Sequence, residues 1–94
     1  MNLTLQKQRG AILRIAEKYG ARNVRVFGST SRGEQADTSD VDLLVDLEPR
    51  RSLLDQVGLK QEIEELLGRR VDIVVEGGIS PYLEERILSE AVPL

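Results

Sequence analysis

Four aspartates fall within two apolar segments of this chain, at a spacing that places them on one face of a sheet. The segment DVDLLVD carries Asp40, Asp42 and Asp46, and the segment VDIVVE carries Asp72. Because side chains alternate along a strand, the first three aspartates point to one side while valine and leucine point to the other. If the apolar faces of both strands pack on helices, Asp42 and Asp72 emerge together on the opposite face.

A cation would offset the repulsion within such a cluster. Two carboxylates two residues apart on a strand are separated by roughly 7 Å and repel by about 2 kcal/mol at an effective dielectric of about 20. The chain has no His and no Cys, so a metal would be bound by oxygen, which favours Mg²⁺ or Mn²⁺. Two such ions about 4 Å apart serve in-line phosphoryl or nucleotidyl transfer. On this pattern alone, Asp40 and Asp42 fit a solvated sheet face equally well, and Asp46 is expected to be a plain surface charge.

The stretch just before these aspartates has the features of a phosphate site. Gly28 ends an apolar segment and lets a phosphate approach the backbone, and Ser29 can donate a hydroxyl. A helix that begins here would favour an anion, and Arg32 can pair with phosphate oxygens in a bidentate manner. A Gly-Ser pair with one arginine more often marks a turn, but its combination with Asp40-x-Asp42 makes phosphate binding the better interpretation.

Alternating helical and extended segments must position these side chains. The predicted order is helix, strand, a loop with a short helix from Ser29–Ser31, then strand, helix, strand and helix, which is typical of a small α/β domain. Strands are expected at NVRVFG, DVDLLVDL and RRVDIVV. Gly20 ends the first helix, Ser52 caps the third, and Ser80 with Pro81 begins the last. The pattern leaves open whether the strands are parallel.

Apolar residues at helical spacing predict which helix faces are buried. The third helix is expected to bury one side, made of Leu53, Leu54, Val57, Ile63, Leu66 and Leu67. In the last helix, Tyr82, Leu83 and Ile87 fit either packing on the sheet or contact with a partner, and core packing is the preferred interpretation.

Composition limits the number of domains and the classes of function. A chain of 94 residues, 40% hydrophobic and 31% charged, predicts one globular domain, 1–94, with little material for a separate acceptor-binding lobe. No apolar run is long enough to cross a bilayer and no secretory signal is visible, so we expect no membrane contact and a cytoplasmic location. With three aromatic residues and no basic stripe, direct nucleic-acid binding is not expected.

The motifs together resemble a known signature. Gly28-Ser29, ten residues, Asp40-x-Asp42 and, one strand later, Asp72 resemble the active site of the DNA polymerase beta-like nucleotidyltransferase superfamily. The longer stretches VFGSTSRGEQADTSDVDLLVD, VDIVVE and EERILSEAVPL resemble its smallest prokaryotic branch, the minimal nucleotidyltransferases, over nearly the whole chain. Ser31 stands where alanine is common in that branch. The resemblance implies a mixed sheet with helices packed mainly on one face.

The resemblance also implies roles for the motif residues. Gly28 and Ser29, helped by Arg32, would hold the triphosphate of ATP. Asp40 and Asp42 would bind two Mg²⁺ ions, and Asp72 would complete the metal site and take the proton of the attacking hydroxyl. Mn²⁺ is an alternative ion.

The branch implies a protein acceptor and an antitoxin function. The acceptor would be a tyrosine of a partner HEPN-domain toxin, modified by one or more AMP groups. Two alternatives stay open: an antitoxin that neutralises its toxin by binding alone, and nucleotidyl transfer to a small molecule such as an aminoglycoside. Base preference, the number of nucleotides added and the presence of a homo-oligomer are not decided by the sequence.

Overall fold

A four-stranded mixed sheet forms the centre of the structure, a computed structural model that describes residues 3–28, 40–78 and 80–94. The strands are β1 Ala21–Val26, β2 Val41–Leu47, β3 Val71–Val75 and β4 Val92–Pro93, in the spatial order β3-β2-β1-β4. Strands β2 and β3 are parallel, and β1 is antiparallel to both β2 and β4. The predicted α/β class and the mixed sheet are confirmed.

In the described ranges four helices accompany the sheet: α1 Leu3–Lys7, α2 Arg9–Lys18, α3 Leu53–Leu67 and α4 Pro81–Glu90. The first predicted helix is therefore two helical segments that meet at Gln8. The predicted cap of α3 is present as a capping box, since Ser52 Oγ accepts from the Leu54 N–H at 3.2 Å and Asp55 accepts from the Ser52 N–H at 3.0 Å. Within the described residues, no helix is both long and apolar enough to span a bilayer.

The hydrophobic core lies between one face of the sheet and the first three helices. The core-facing residues of β2 are Val41, Leu43 and Val45, each at most 1% exposed. They pack in one cluster with apolar residues of the helices and the other strands, among them Leu5, Ile12, Ala16, Val26, Leu59, Ile63 and Val71. This burial leaves Asp42 and Asp46 on the opposite face, as the alternation predicted.

A β-bulge in β1 sets the side-chain phase of that strand. Arg22 is paired with Asp46 and Arg25 with Leu44, so two residues of β1, Asn23 and Val24, lie opposite one residue of β2. Asn23 has a φ of 53°, the left-handed conformation that asparagine adopts more readily than most residues. The extra residue returns Arg25 to the face that carries the aspartates and Val26 to the core.

The predicted apolar side of α3 is wrong over its first turns. Leu53, Leu54 and Val57 are 72%, 81% and 42% exposed, and the buried residues of α3 are Leu59 and Ile63. Only the later turns of α3 contribute to the core, because its beginning lies at the open edge of β3, where the Gln56 side chain donates to the Ile73 carbonyl at 3.1 Å.

The C-terminal region also departs from the sequence expectation. Tyr82 is 94% and Leu83 is 54% exposed, and α4 has no buried residue, so core packing of this helix is wrong. Strand β4 was not predicted; it pairs with β1 at two positions, and the Leu94 N–H donates to the Val24 carbonyl at 3.0 Å.

Candidate functional site

Asp42 and Asp72 lie side by side on the sheet face away from the core. They are direct partners in the parallel pairing of β2 and β3, which places their backbones about 4.8 Å apart. Asp42 is half-buried and Asp72 is exposed. Two carboxylates in such positions can share one cation, so the predicted meeting of these two residues is confirmed, while their role remains a prediction.

Gly28 approaches the same carboxylate from the end of β1. The Phe27 N–H donates to the Asp42 carbonyl at 3.1 Å, which extends the β1–β2 pairing to the start of the motif. Gly28 has a φ of 61°, and a Cβ added to it would lie 2.8 Å from Asp42 Oδ2. Glycine is required here both for the backbone conformation and for the space that the Asp42 carboxylate occupies.

The other predicted site residues are placed less completely. Asp40 is exposed and immediately precedes β2. Ser29 and Arg32, together with the short helix expected from Ser29–Ser31, lie outside the described residues. Gly28 is therefore the one residue of the predicted phosphate site for which the structure gives a position.

The donor chemistry fits a hard divalent cation. Within the described ranges, no three acidic side chains converge closely enough to form a complete metal cage. Asp42 and Asp72 supply carboxylate oxygens from adjacent strands, and the chain has no His or Cys to add nitrogen or sulfur. Carboxylate sites of this kind suit Mg²⁺, which takes one or two protein carboxylates and completes its shell with substrate phosphates and water.

The other end of the same face holds an ion network. Arg25, 9% exposed, donates through Nη2 to Asp46 Oδ1 at 3.1 Å and to Glu76 Oε2 at 2.9 Å. A hydrogen bond with Glu76, then one from Asn23 and the charge of Arg25, hold the pKa of Asp46 below its ordinary value. Asp46 is thus a partner in a three-strand ion network rather than the plain surface charge that the sequence suggested.

A cavity of about 260 Å³ adjoins Gly28. Its walls are Phe27 and Gly28 on one side and α4 on the other, and α4 contributes Leu83, Arg86, Ile87 and Glu90. The cavity offers apolar surface for a base, and the Arg86 guanidinium in its wall is paired with the carboxylate of Glu90, since Arg86 Nε lies 3.9 Å from Glu90 Oε1. Sequence reasoning missed Phe27 and Arg86. Strand alternation was the only signal for Phe27 and helical spacing around Leu83 the only one for Arg86, and neither pattern shows that α4 lies opposite Gly28.

The chain has relatives over most of its length. The family model described as the nucleotidyltransferase domain matches residues 9–94. A protein of Methanocaldococcus jannaschii is 46% identical over 98% of this chain and 97% of its own length, and its name refers to protein adenylyltransferase. Protein adenylyltransferase MntA of Thermococcus cleftensis is 42% identical over 83% of this chain and 79% of its own length.

Solved structures share the fold. One whose description names the minimal nucleotidyltransferase superposes with a TM-score of 0.89 at 53% identity, covering 100% of this chain and 97% of the other. A second, described as a tri-AMPylated Shewanella oneidensis HEPN toxin in complex with its MNT antitoxin, gives a TM-score of 0.72 at 19% identity, covering 94% of this chain and 69% of the other. At 19% identity the second likeness shows the fold alone. The family match, the relatives and the shared fold show that the chain belongs to the nucleotidyltransferase domain family, as a minimal nucleotidyltransferase.

Proposed function

We propose that this protein transfers AMP from ATP to a hydroxyl group of a partner protein. The observation that carries the proposal is the placement of Asp42 beside Asp72 on adjacent strands, with Gly28 against the Asp42 carboxylate. A site made of carboxylates and a glycine next to a cavity with apolar walls suits a triphosphate with its cations better than a reaction that needs a nucleophilic side chain.

Different residues of the chain would bind the triphosphate, the nucleoside and the metal ions. Gly28, with Ser29 and Arg32 of the same motif, binds the triphosphate, and the cavity between Phe27 and α4 takes the nucleoside. Asp40, Asp42 and Asp72 are the residues that would hold two Mg²⁺ ions. When bound, these ions neutralise the charge that develops on the phosphates and favour the deprotonated acceptor oxygen.

The bond changes follow from this arrangement. The acceptor oxygen forms a bond to the α-phosphorus, the bond from that phosphorus to the bridging oxygen of the β-phosphate breaks, and pyrophosphate leaves. Asp72, exposed at the sheet edge, accepts the proton of the acceptor hydroxyl. Asp42 lies between Asp72 and Gly28, so the acceptor oxygen would approach the α-phosphorus from the side of Asp72 and the pyrophosphate would leave on the side of Gly28.

The named relatives support a protein as acceptor. Two relatives at 46% and 42% identity carry protein adenylyltransferase names. A neighbour with the same fold is described as an MNT antitoxin bound to an AMPylated HEPN toxin. We propose that the partner is a HEPN-domain toxin and this chain its antitoxin, since an added phosphodiester places bulk and negative charge on the toxin. The acceptor side chain would be a tyrosine, which is what the resemblance to the minimal nucleotidyltransferases implies.

Label transfer tests the proposal with a matched pair of variants. The purified chain is incubated with Mg²⁺, a HEPN-domain protein from the same organism and ATP labelled at the α-phosphate. Label should appear on the partner and disappear with EDTA or with Asp42→Asn. Asp46→Asn makes the same chemical change four residues along the same face and should leave labelling in place. Equal labelling by wild type and Asp42→Asn would reject the proposed chemistry.

Neutralisation by binding alone is the second candidate, and one observation favours it. Leu53 and Leu54 are adjacent large apolar side chains that are 72% and 81% exposed, and exposed apolar side chains that lie together are typical of surfaces that bind other proteins. If Asp42→Asn still neutralises a co-expressed HEPN toxin as well as the wild type does, binding is the function and transfer is not required.

A further inference from the structure

A small cavity lies at the outer edge of β3, on the far side of Asp42 from Gly28. Its volume is about 180 Å³, and its lining residues are Leu53, Gln56, Val57, Lys60, Asp72 and Ile73. The first four belong to α3, and the last two belong to β3. One of the two paired aspartates is therefore part of the wall of a cavity whose other residues have no role in the site described above.

The edge of β3 at this cavity is already closed to another strand. The Val71 N–H donates to Glu64 Oε2 at 3.0 Å, and the Ile73 carbonyl accepts from Gln56 Nε2 at 3.1 Å. The Val75 carbonyl accepts from the Gly78 N–H at 3.2 Å. Side chains that occupy edge groups in this way oppose strand addition, so the cavity is suited to a side chain rather than to an added strand.

The size and lining of the cavity indicate what kind of side chain it takes. A cavity of about 150 Å³ between apolar side chains is enough to hold one benzene ring, whereas pockets for drug-sized molecules start at about 300 Å³. Leu53, Val57 and Ile73 supply apolar walls. Lys60 supplies a cation, which favours the electron-rich face of an aromatic ring.

We infer that this β3-edge cavity binds the ring of the acceptor's phenolic side chain, with Leu53 and Val57 as specificity-determining residues. The inference rests on the proposed transfer of AMP. It adds that the acceptor enters over α3, since Gly28, which would bind the triphosphate and so the leaving pyrophosphate, follows β1, whereas this cavity lies against β3, with β2 between them. In-line displacement requires this separation of the attacking and leaving oxygens.

Binding of p-cresol, the tyrosine side-chain analogue, tests the cavity without ATP or metal. In a titration followed by amide chemical shifts, the largest changes should fall at Val57, Lys60 and Ile73. Val57→Asn should weaken p-cresol by about tenfold or more, because a polar group then replaces an apolar wall. Leu54→Asn is the matched control, since Leu54 is exposed on the same helix and is not among the lining residues; it should bind p-cresol as the wild type does. Equal binding of 1-butanol, or no effect of Val57→Asn, would overturn the inference.

A transfer assay separates this inference from the function on which it rests. With α-labelled ATP, Mg²⁺ and N-acetyltyrosine amide as acceptor, Val57→Asn should raise KM for the acceptor and leave KM for ATP unchanged. Transfer to the tyrosine probe that Val57→Asn does not alter would reject the cavity as acceptor site and leave the proposed function standing. If p-cresol binds as expected but no variant, the wild type included, transfers AMP to the probe or to a HEPN-domain protein, the proposed function fails and with it the acceptor role of the cavity.

Discussion

The two ends of one sheet face carry the same kind of residue in opposite surroundings. At one end Asp42 and Asp72 are direct partners on β2 and β3, and the neighbouring residues are Phe27 and Gly28, which directly follow β1. At the other end Asp46 lies on β2 and Glu76 directly follows β3, and the buried Arg25 binds both. The end with Arg25 stabilises the fold through an internal ion network. The end with Gly28 is the proposed binding site for cations and phosphate.

A single strand controls the difference. The bulge at Asn23 places Arg25 on the acidic face, where its guanidinium reaches Asp46 and Glu76. Two residues later, Phe27 and then Gly28 provide no charge and leave room for the Asp42 carboxylate. The role of an acidic residue on this sheet face therefore depends on which residue lies beside it on the adjacent strand. The number of acidic residues alone does not distinguish a cation site from an ion network.

Removing the Asp42 charge should give the largest change in activity and almost none in stability. Asp42→Asn should lower nucleotidyl transfer by more than about 10²-fold, because even residues that only support a metal ligand are worth about 10- to 100-fold. The free energy of unfolding should change by no more than about 1 kcal/mol, since relief of the repulsion from Asp72 offsets the loss of the contacts that the Asp42 carboxylate makes. Transfer of α-label and urea unfolding measure the two quantities. A large loss of stability would show that Asp42 has a structural role like that of Asp46.

A methyl group at Gly28 should impair the site through Asp42. In Gly28→Ala the left-handed backbone costs about 1–2 kcal/mol, and the new Cβ must displace the Asp42 carboxylate, which can cost about 10²-fold in rate for a shift of about 1 Å. Gly68→Ala is the control: Gly68 has a φ of 65° with no atom within 4 Å of an added Cβ. Both variants should lose similar stability, and only Gly28→Ala should lose transfer. Equal activity of the two would contradict the close approach to Asp42.

Removing the Arg25 charge should lower stability and leave nucleotidyl transfer unchanged, the opposite of what is expected for Asp42. Arg25→Met leaves two acids without their buried cation, and the free energy of unfolding should fall by about 2 kcal/mol. This is less than for a fully buried pair, because the Asp46 and Glu76 side chains are 40% and 31% exposed. Arg22→Met, at an exposed position of the same strand, should change stability by less than about 0.5 kcal/mol. Transfer by folded Arg25→Met should match the wild type. A loss of transfer would show that the Arg25 ion network affects the Asp42–Asp72 end of the sheet face.

The smallest expected effect is the pH dependence of the ion network. The pKa of Asp46 is lowered in the folded protein, so its contribution to stability is present above its unfolded pKa of about 3.9. That contribution is lost as the pH falls through the lower folded value. Urea unfolding between pH 6 and pH 3 should show a smaller loss of stability for Asp46→Asn than for the wild type. Identical pH profiles would show that Asp46 gains nothing from its partners.

The sequence predicted the strands of the acidic face better than the surfaces around them. Alternation in DVDLLVDL and VDIVV placed Asp42 and Asp72 together because both strands have one continuous apolar face. The same reasoning failed for the start of α3. Helical spacing shows which residues share a side of the helix, but it does not show which turns lie over the sheet, and Leu53 and Leu54 are exposed. Strand β4 has two residues, one of them Pro93, and no local pattern marks a pairing that depends on β1.

Mapping Mn²⁺ onto the folded protein tests most directly the claim that the two ends differ. Bound Mn²⁺ broadens amide resonances steeply with distance, so small additions should first broaden the amides of Asp42 and Asp72, and those of Asp46 and Glu76 much less. Asp42→Asn should abolish the effect and Asp46→Asn should preserve it. Broadening centred on Asp46 and Glu76, or broadening that persists in Asp42→Asn, would contradict the assignment of the Asp42–Asp72 end as the cation site.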